Sequence, residues 1–182
     1  MTGALSWLEP PQPAPLLAAG AYDADLAGLR YDGLLGRVPG GRHAPADVLA
    51  GPEGRAAHLR VDLPPAAAVA RAAAAWVHTG RLCPERTDVV VAPHRRVHAG
   101  VPVHRQVLPA ADVVLIGGVP TTTPLRTAVD LLCFADEAAA VASTRSLLLD
   151  GLTTALVEQA LRRPARRLPV RRALRLLAAC EA

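Results

Sequence analysis

The segment Gly117-Gly-Val-Pro-Thr-Thr-Thr-Pro-Leu-Arg-Thr-Ala-Val-Asp-Leu-Leu132 marks the point at which the chain changes from short strands to helices. Thr123 is placed to cap a helix, and Pro124 suits its first position. Arg126 precedes Asp130 by four residues, so we expect the two to pair on the helix surface. An apolar stripe recurs at helical spacing, formed by Leu125, Ala128, Val129 and Leu132. The segment therefore predicts a helix after a glycine turn.

Short valine-rich runs before this segment predict strands. They cover residues 87–92, 101–108 and 112–116 and are separated by proline, glycine and His/Arg clusters. Pro102 favours an edge position for the second run, because proline cannot donate to a sheet ladder.

Alanine-rich windows predict helices on both sides of these strands. Two windows precede the strands, at residues 45–59 and 66–78, and three follow the segment above, at 136–149, 153–161 and 170–179. The order of helices, sheet and helices predicts an α+β fold, with a small, mostly antiparallel sheet at about residues 87–120. An alanine-rich helical segment should flank the sheet on one side and a helical C-terminal region on the other.

Length and composition favour one compact domain with a short appendage. The chain has 182 residues, and the proline- and glycine-rich residues 1–45 are interpreted as an arm before an α+β domain at 46–182. The three cysteines are odd in number and about 50 residues apart, which predicts reduced thiols in a cytoplasmic protein. No secretory signal pattern opens the chain, and no apolar run approaches the ~20 residues of a membrane span.

Positive charge is unevenly distributed. The chain contains no lysine, and all 20 arginines lie in residues 30–182 against 13 acids, whereas residues 1–29 hold three acids and no arginine. Residues 94–105 and 162–175 contain no acid at all. We predict contacts to duplex DNA phosphates or to an acidic protein partner by Arg95, Arg96, Arg105, Arg162, Arg163, Arg166, Arg167, Arg171 and Arg172. A solvated helix face and the arginine preference of a high-GC genome are the alternatives.

The residues that support catalysis or metal binding are sparse. His94 and His98 are four residues apart, so they could bind one metal ion only if the segment were helical, and Gly100 and Pro102 favour a loop instead. Cys83 offers one sulfur ligand, and no second cysteine lies at the spacing of a zinc finger. The chain lacks the lysine of carboxylate-and-lysine nucleases, a serine elbow and a phosphate-binding glycine loop. These observations predict a protein that is not an enzyme and that uses neither cofactor nor metal.

Residues 60–175 resemble the actinobacterial AbiEi-like antitoxin family of type IV toxin-antitoxin systems. The resemblance covers the helical window ending at Gly80, the runs Val89-Val-Val-Ala-Pro-His-Arg-Arg96 and Gly100-Val-Pro-Val-His-Arg105, and a motif. The motif consists of Gly118, Val119, Pro120, Thr122, Pro124, Arg126, Thr127, Asp130 and Leu131.

This resemblance implies a winged-helix DNA-binding segment followed by an antitoxin domain. Such a protein antagonises a nucleotidyltransferase-type toxin without being an enzyme, and it represses transcription of its own operon. Residues 1–45 depart from the pattern, because they lack the helical periodicity of a complete winged helix, and they are interpreted as a degenerate remnant of one.

Relatives in this family continue into a nuclease-like domain where this sequence ends at Ala182. The sequence is therefore expected to be a truncated form. The alternative function is a solitary remnant of a nuclease-fused protein that acts as a phosphate-binding or protein-docking scaffold.

Overall fold

The computed structural model describes residues 17–18, 24–95, 100–163 and 168–181. The elements up to residue 79 are β1 (Leu17–Ala18), α1 (Ala24–Tyr31), β2 (Leu35–Val38), β3 (Arg42–Pro45), α2 (Pro52–Leu59), β4 (Ala68–Val69) and α3 (Arg71–Thr79). The later elements are β5 (Val89–Val91), β6 (Val103–Arg105), β7 (Val113–Ile116), β8 (Val119–Thr122), α4 (Pro124–Phe134), α5 (Glu137–Leu149), α6 (Thr154–Leu161) and α7 (Val170–Glu181). The predicted α+β class is confirmed.

A small antiparallel sheet in the order β1-β3-β2 precedes the main one. Gly40 and Gly41 form the tip of its hairpin with φ of 85° and 71°, values that glycine adopts without strain. Val38 and Ala44 from this hairpin are buried in one apolar cluster with Trp76 of α3. The division of the chain after residue 45 stays a prediction, and this cluster shows that β2 and β3 pack on the residues that follow.

The main sheet has five strands in the order β6-β5-β4-β8-β7. It is mixed, where the sequence predicted a mostly antiparallel sheet: β4–β5 and β7–β8 are antiparallel, whereas β4–β8 and β5–β6 are parallel. One parallel pair involves β4, a strand of two residues at the sheet centre within an alanine-rich run whose composition favours helix. The other parallel pair, β5–β6, joins two strands that follow one another in the chain. Pro102 borders the edge strand β6, as predicted.

The chain crosses one face of the sheet between its two edge strands. Because β6 and β7 lie at opposite edges, residues 106–112, here named the strap, must pass over the strands between them. Leu108 of the strap packs on a buried cluster of Ala68, Ala70 and Val90. The strap therefore covers apolar side chains of β4 and β5.

Helices α4 to α7 bury a second apolar core, which includes Ala75 of α3. The side chains of Thr123, Asp136 and Thr153 accept hydrogen bonds from backbone N–H groups in the first turns of α4, α5 and α6. The cap predicted at Thr123 and the helix start predicted at Pro124 are confirmed, whereas strand β8 at residues 119–122 was not predicted. Among the described ranges, no helix is both long and apolar enough to cross a membrane.

Candidate functional site

Arg126 is the centre of a buried polar network. Its side chain is 3% exposed and that of Asp130 is 4% exposed. Arg126 Nε donates to Asp130 Oδ2 at 2.7 Å, Nη1 donates to Asp112 Oδ2 at 2.8 Å, and Nη2 donates to Gln106 Oε1 at 2.6 Å. The predicted pair of Arg126 and Asp130 forms, but it is buried under the strap rather than exposed on the helix.

The network fastens the strap to α4. Gln106 and Asp112 stand at the two ends of the strap, and the guanidinium of Arg126 binds both. The backbone N–H of Thr123 also donates to the carbonyl of Asp112 at 2.9 Å. Burial lowers the pKa of Arg126, but the carboxylates of Asp130 and Asp112 outweigh it and raise that pKa above its usual value. The guanidinium is therefore charged and holds three chain segments together.

The remaining motif residues build the turn, strand and helix around this network. Gly118 has φ of 74° in the turn between β7 and β8, where a side chain would be strained. Thr122 and Thr127 share a buried hydrogen bond of 2.7 Å between their Oγ1 atoms. Val119 and Leu131 are buried in the two apolar clusters.

The two prolines of the motif have local roles. Pro120 of β8 lies opposite Leu115, and Pro124 opens α4. Each motif residue therefore has a structural explanation. The motif stabilises the junction between sheet and helices.

A second polar cluster adjoins the network and was not predicted from the sequence. His104 Nε2 lies 2.7 Å from Asp88 Oδ1, and the guanidinium of Arg71 stands 5.6 Å from the ring centroid of Phe134. Burial lowers the pKa of Arg71, while the charges of Asp88 and Asp130 raise it. These side chains come from separate parts of the sequence, so no spacing pattern predicts that they meet.

The sheet-edge arginines of the predicted surface lie at one end of the strand pair β5–β6. Arg105 ends β6 opposite Val91, and Arg95 follows β5 by four residues. Both side chains are exposed, and no described residue forms an ion pair with either. Arg96 and His98 lie outside the described residues. The structure thus brings Arg95 and Arg105 to the same edge of the molecule.

The arginines of the C-terminal helices are exposed on a different layer. Arg163 and Arg171 are exposed and form no ion pair with any described residue, whereas Arg162 binds Glu158 one turn earlier at 2.6 Å. Arg166 and Arg167 lie outside the described residues. Among the described residues, no hydrogen bond or ion pair connects this group with the sheet-edge pair.

Arg172 has a structural role instead of the predicted surface role. It is half-buried, and its two Nη atoms donate to the carbonyls of Leu132 and Ala135, each at 2.6 Å. These carbonyls belong to the C-terminal end of α4, where backbone acceptors lack helical partners. Arg172 therefore caps α4, and it is not retained in the proposed binding surface.

Two further arginines cap helices in the same way. Arg55 is 5% exposed, and its Nε donates to Val77 O at the end of α3 at 3.0 Å. Arg145 donates to the carbonyls of Ala179 and Cys180 at the end of α7. Because these contacts join residues 22 or more positions apart, no local pattern in the sequence separates capping arginines from free ones.

Within the described ranges, no three His, Cys, Asp or Glu side chains lie close enough together to hold a metal ion. His94 is exposed. Cys133 and Cys180 are buried, and burial raises the pKa of the half-buried Cys83 thiol to about 11. The arrangement therefore keeps Cys83 protonated at neutral pH.

The fold can be compared with that of a solved structure. No protein-family model and no curated protein matches the sequence. The chain is similar to the crystal structure of the RV2827C protein from Mycobacterium tuberculosis, with a TM-score of 0.46 and 21% sequence identity. The alignment covers 87% of this chain and 65% of that chain, so this sequence spans just under two thirds of the length of its neighbour.

Proposed function

We propose that this protein is a non-enzymatic regulator of the antitoxin type, related to the AbiEi-like family, which binds its partners through exposed arginines. The observation that supports the proposal is the division of the arginines into two classes. Arg126, Arg55 and Arg172 are used within the fold, whereas others are exposed without an ion-pair partner among the described residues. Arg30, Arg37 and Arg86 also belong to this second class. The name free arginines is kept for its four members in the predicted binding set, Arg95, Arg105, Arg163 and Arg171.

The partners that suit the free arginines carry closely spaced negative charge. A guanidinium matches a phosphate or a carboxylate with two parallel hydrogen bonds. Duplex DNA presents phosphates in a regular row, and the acidic surface of a cognate toxin presents carboxylates. We propose both partners: the acidic surface of a toxin, and duplex DNA bound through its phosphates, a contact that does not select an operator sequence.

The proposal that the protein is not an enzyme rests on the state of its acids. Asp130 is buried against Arg126, Asp112 binds the same guanidinium, and Asp88 binds His104. Incubation of the purified protein with plasmid and Mg²⁺ or Mn²⁺ should leave the DNA intact. Metal-dependent cleavage that co-purifies with the protein would contradict the proposal.

Co-expression tests the antitoxin function. The product of the neighbouring gene should arrest growth when expressed alone, and simultaneous expression of this chain should restore growth. The control variant Arg81→Ala should restore growth as the wild-type chain does, since Arg81 is paired with Asp150 and does not belong to the free arginines. Absence of toxicity, or toxicity that this chain does not relieve, would refute the antitoxin assignment.

A gel-shift titration tests the DNA partner separately. Binding to duplex DNA should be strong at low salt and weaken steeply as salt rises, with a slope of about −0.9 for each phosphate neutralised. The affinity should depend little on sequence, because phosphate contacts carry no base information. No binding at low salt would eliminate DNA and leave the acidic protein as the partner.

A further inference from the structure

A cavity of about 370 Å³ lies where the end of α3, the start of α4 and the turn between α5 and α6 come together. Its volume falls within the ~300–1,000 Å³ that is typical of small-molecule pockets. The wall consists of the apolar residues Pro124, Leu147 and Leu152 together with His78, Asp150 and Gly151. None of the free arginines contributes to this wall, so the cavity is separate from the surface proposed above.

The turn after α5 gives the cavity a preformed side. The backbone N–H of Leu152 donates to the carbonyl of Leu147 at 3.2 Å, and that of Gly151 donates to the carbonyl of Leu148 at 3.1 Å. These two bonds form a Schellman motif, in which a glycine at positive φ ends the helix and apolar side chains on either side of it meet. Gly151 has φ of 100°. The backbone therefore holds Leu147 and Leu152 in place without a ligand.

His78 presents a hydrogen-bond acceptor. Its Nε2 lies 2.8 Å from the carbonyl oxygen of Thr122, which can only accept, so Nε2 carries the ring proton. Burial and the charge of Arg55 lower the pKa of His78 and outweigh its bond to Thr122, so the ring is uncharged at neutral pH. No described residue donates to Nδ1. The buried ring nitrogens without a partner belong to His43 and His58, so Nδ1 of His78 can be reached from outside.

Asp150 presents a second acceptor. Its Oδ1 accepts a hydrogen bond from Arg81 Nη1 at 2.5 Å, whereas Oδ2 receives none from the part of the chain that the structure describes. The side chain of Asp150 is 36% exposed. The pair with Arg81 balances the charge of the carboxylate, and His78 is neutral. A ligand that satisfies both acceptors therefore needs hydrogen-bond donors but no charge.

We propose that this cavity binds a small, uncharged organic molecule that carries a primary amide beside an apolar body. The two N–H groups of the amide donate to Nδ1 of His78 and Oδ2 of Asp150, and the apolar body packs on Leu147, Leu152 and Pro124. A carboxylate or an ester of the same shape brings only acceptors, which leaves both protein acceptors without a donor. This inference is independent of the proposed function, since it concerns neither a toxin nor DNA.

NMR titration of the isotope-labelled protein with three probes of similar shape tests the proposal. Benzamide has N–H donors, whereas benzoate and methyl benzoate have only acceptors. Benzamide should shift the backbone amide resonances of Gly151 and Leu152 saturably, with a Kd on the order of 1 mM. It should also shift the Nδ1 resonance of His78, because that nitrogen gains a donor. Benzoate and methyl benzoate should bind at least about tenfold more weakly.

Two variants each remove one acceptor. His78→Phe and Asp150→Ala should each raise the Kd for benzamide about five- to tenfold. Glu137→Ala is the matched control, because Glu137 is also an exposed acid paired with an arginine but lies at the opposite end of α5; it should leave the Kd unchanged. Circular dichroism and the unfolding midpoint establish that each variant is folded. The comparison of the three probes on the wild-type chain needs no variant, so it decides the question even if His78→Phe does not fold.

Three results would overturn the proposal. The first is the absence of a saturable shift at Gly151 and Leu152 up to about 50 mM benzamide. The second is equal affinity for benzamide and methyl benzoate, which would show that the donors do not matter. The third is an unchanged Kd in both folded variants, which would show that neither acceptor contacts the ligand.

Discussion

Removal of the Arg126 side chain should destabilise the protein strongly. The Arg126→Ala variant leaves Asp130 buried at 4% exposure without its cation and releases Gln106 and Asp112 at the ends of the strap. Truncating one partner of a buried ion pair costs about 3–5 kcal/mol, and solvent does not screen a pair this deeply buried. Alanine is a good helix former, so the loss will not come from α4 itself.

Equilibrium unfolding in urea, followed by tryptophan fluorescence, measures this loss. Trp76 of α3 is 3% exposed in an apolar cluster, so its fluorescence will change when the protein unfolds. A typical domain has ~5–15 kcal/mol of stability, so the variant should unfold at a much lower urea midpoint and still begin folded. Arg175→Ala is the matched control, because the pair of Arg175 and Glu137 is exposed; it should cost at most about 1 kcal/mol.

A double variant separates the unpaired charge from the lost packing. Arg126→Met with Asp130→Leu replaces the buried pair by apolar groups of similar volume and should be less destabilised than Arg126→Ala alone. If Arg126→Ala shifts the free energy of unfolding by no more than Arg175→Ala, the network does not fasten the strap and the reasoning is refuted.

Three further predictions concern single side chains. Thr123→Ala removes the cap of α4 and should cost about 1 kcal/mol in urea unfolding; an unchanged midpoint would count against the cap. Arg172→Ala should lower the free energy of unfolding by roughly 1–3 kcal/mol, because the hydrogen bonds to the end of α4 are lost. It should leave the salt dependence of DNA binding unchanged; a flatter salt dependence would show that Arg172 does bind phosphate. His43 is 5% exposed, and burial, then Arg30 and Arg37, lower its pKa below 6.5. The unfolded chain therefore binds the proton more tightly, so stability should fall as pH drops below about 6.5, and His43→Phe should reduce that pH dependence; an equal dependence in the variant would exclude His43 as its source.

Local sequence signals predicted much of the fold. Thr123, Pro124 and the apolar stripe of α4 lie within a few residues of one another, so hydrogen bonds and packing within one helix specify them. The α+β class follows from the order of such local elements. The strand Ala68–Val69 could not be predicted in this way, because alanine-rich sequence favours helix and only pairing with β5 and β8 makes it a strand.

The role of individual arginines could not be predicted from the sequence. Arg172 and Arg171 are neighbours in a basic run, yet one caps α4 across 40 residues and the other is exposed. Spacing identified Arg126 and Asp130 as a pair, but their burial depends on the strap, whose path follows from the strand order of the sheet. Long-range topology therefore decides which charges are structural and which can bind a partner.

The salt dependence of DNA binding by a variant lacking two free arginines tests the central claim most directly. The claim is that Arg163 and Arg171 bind phosphate, whereas arginines with partners inside the fold do not. Replacing both by alanine should flatten the slope of log affinity against log salt by up to about two units, and the Arg81→Ala control should leave it unchanged. Equal slopes for the double variant and the wild type would contradict the account.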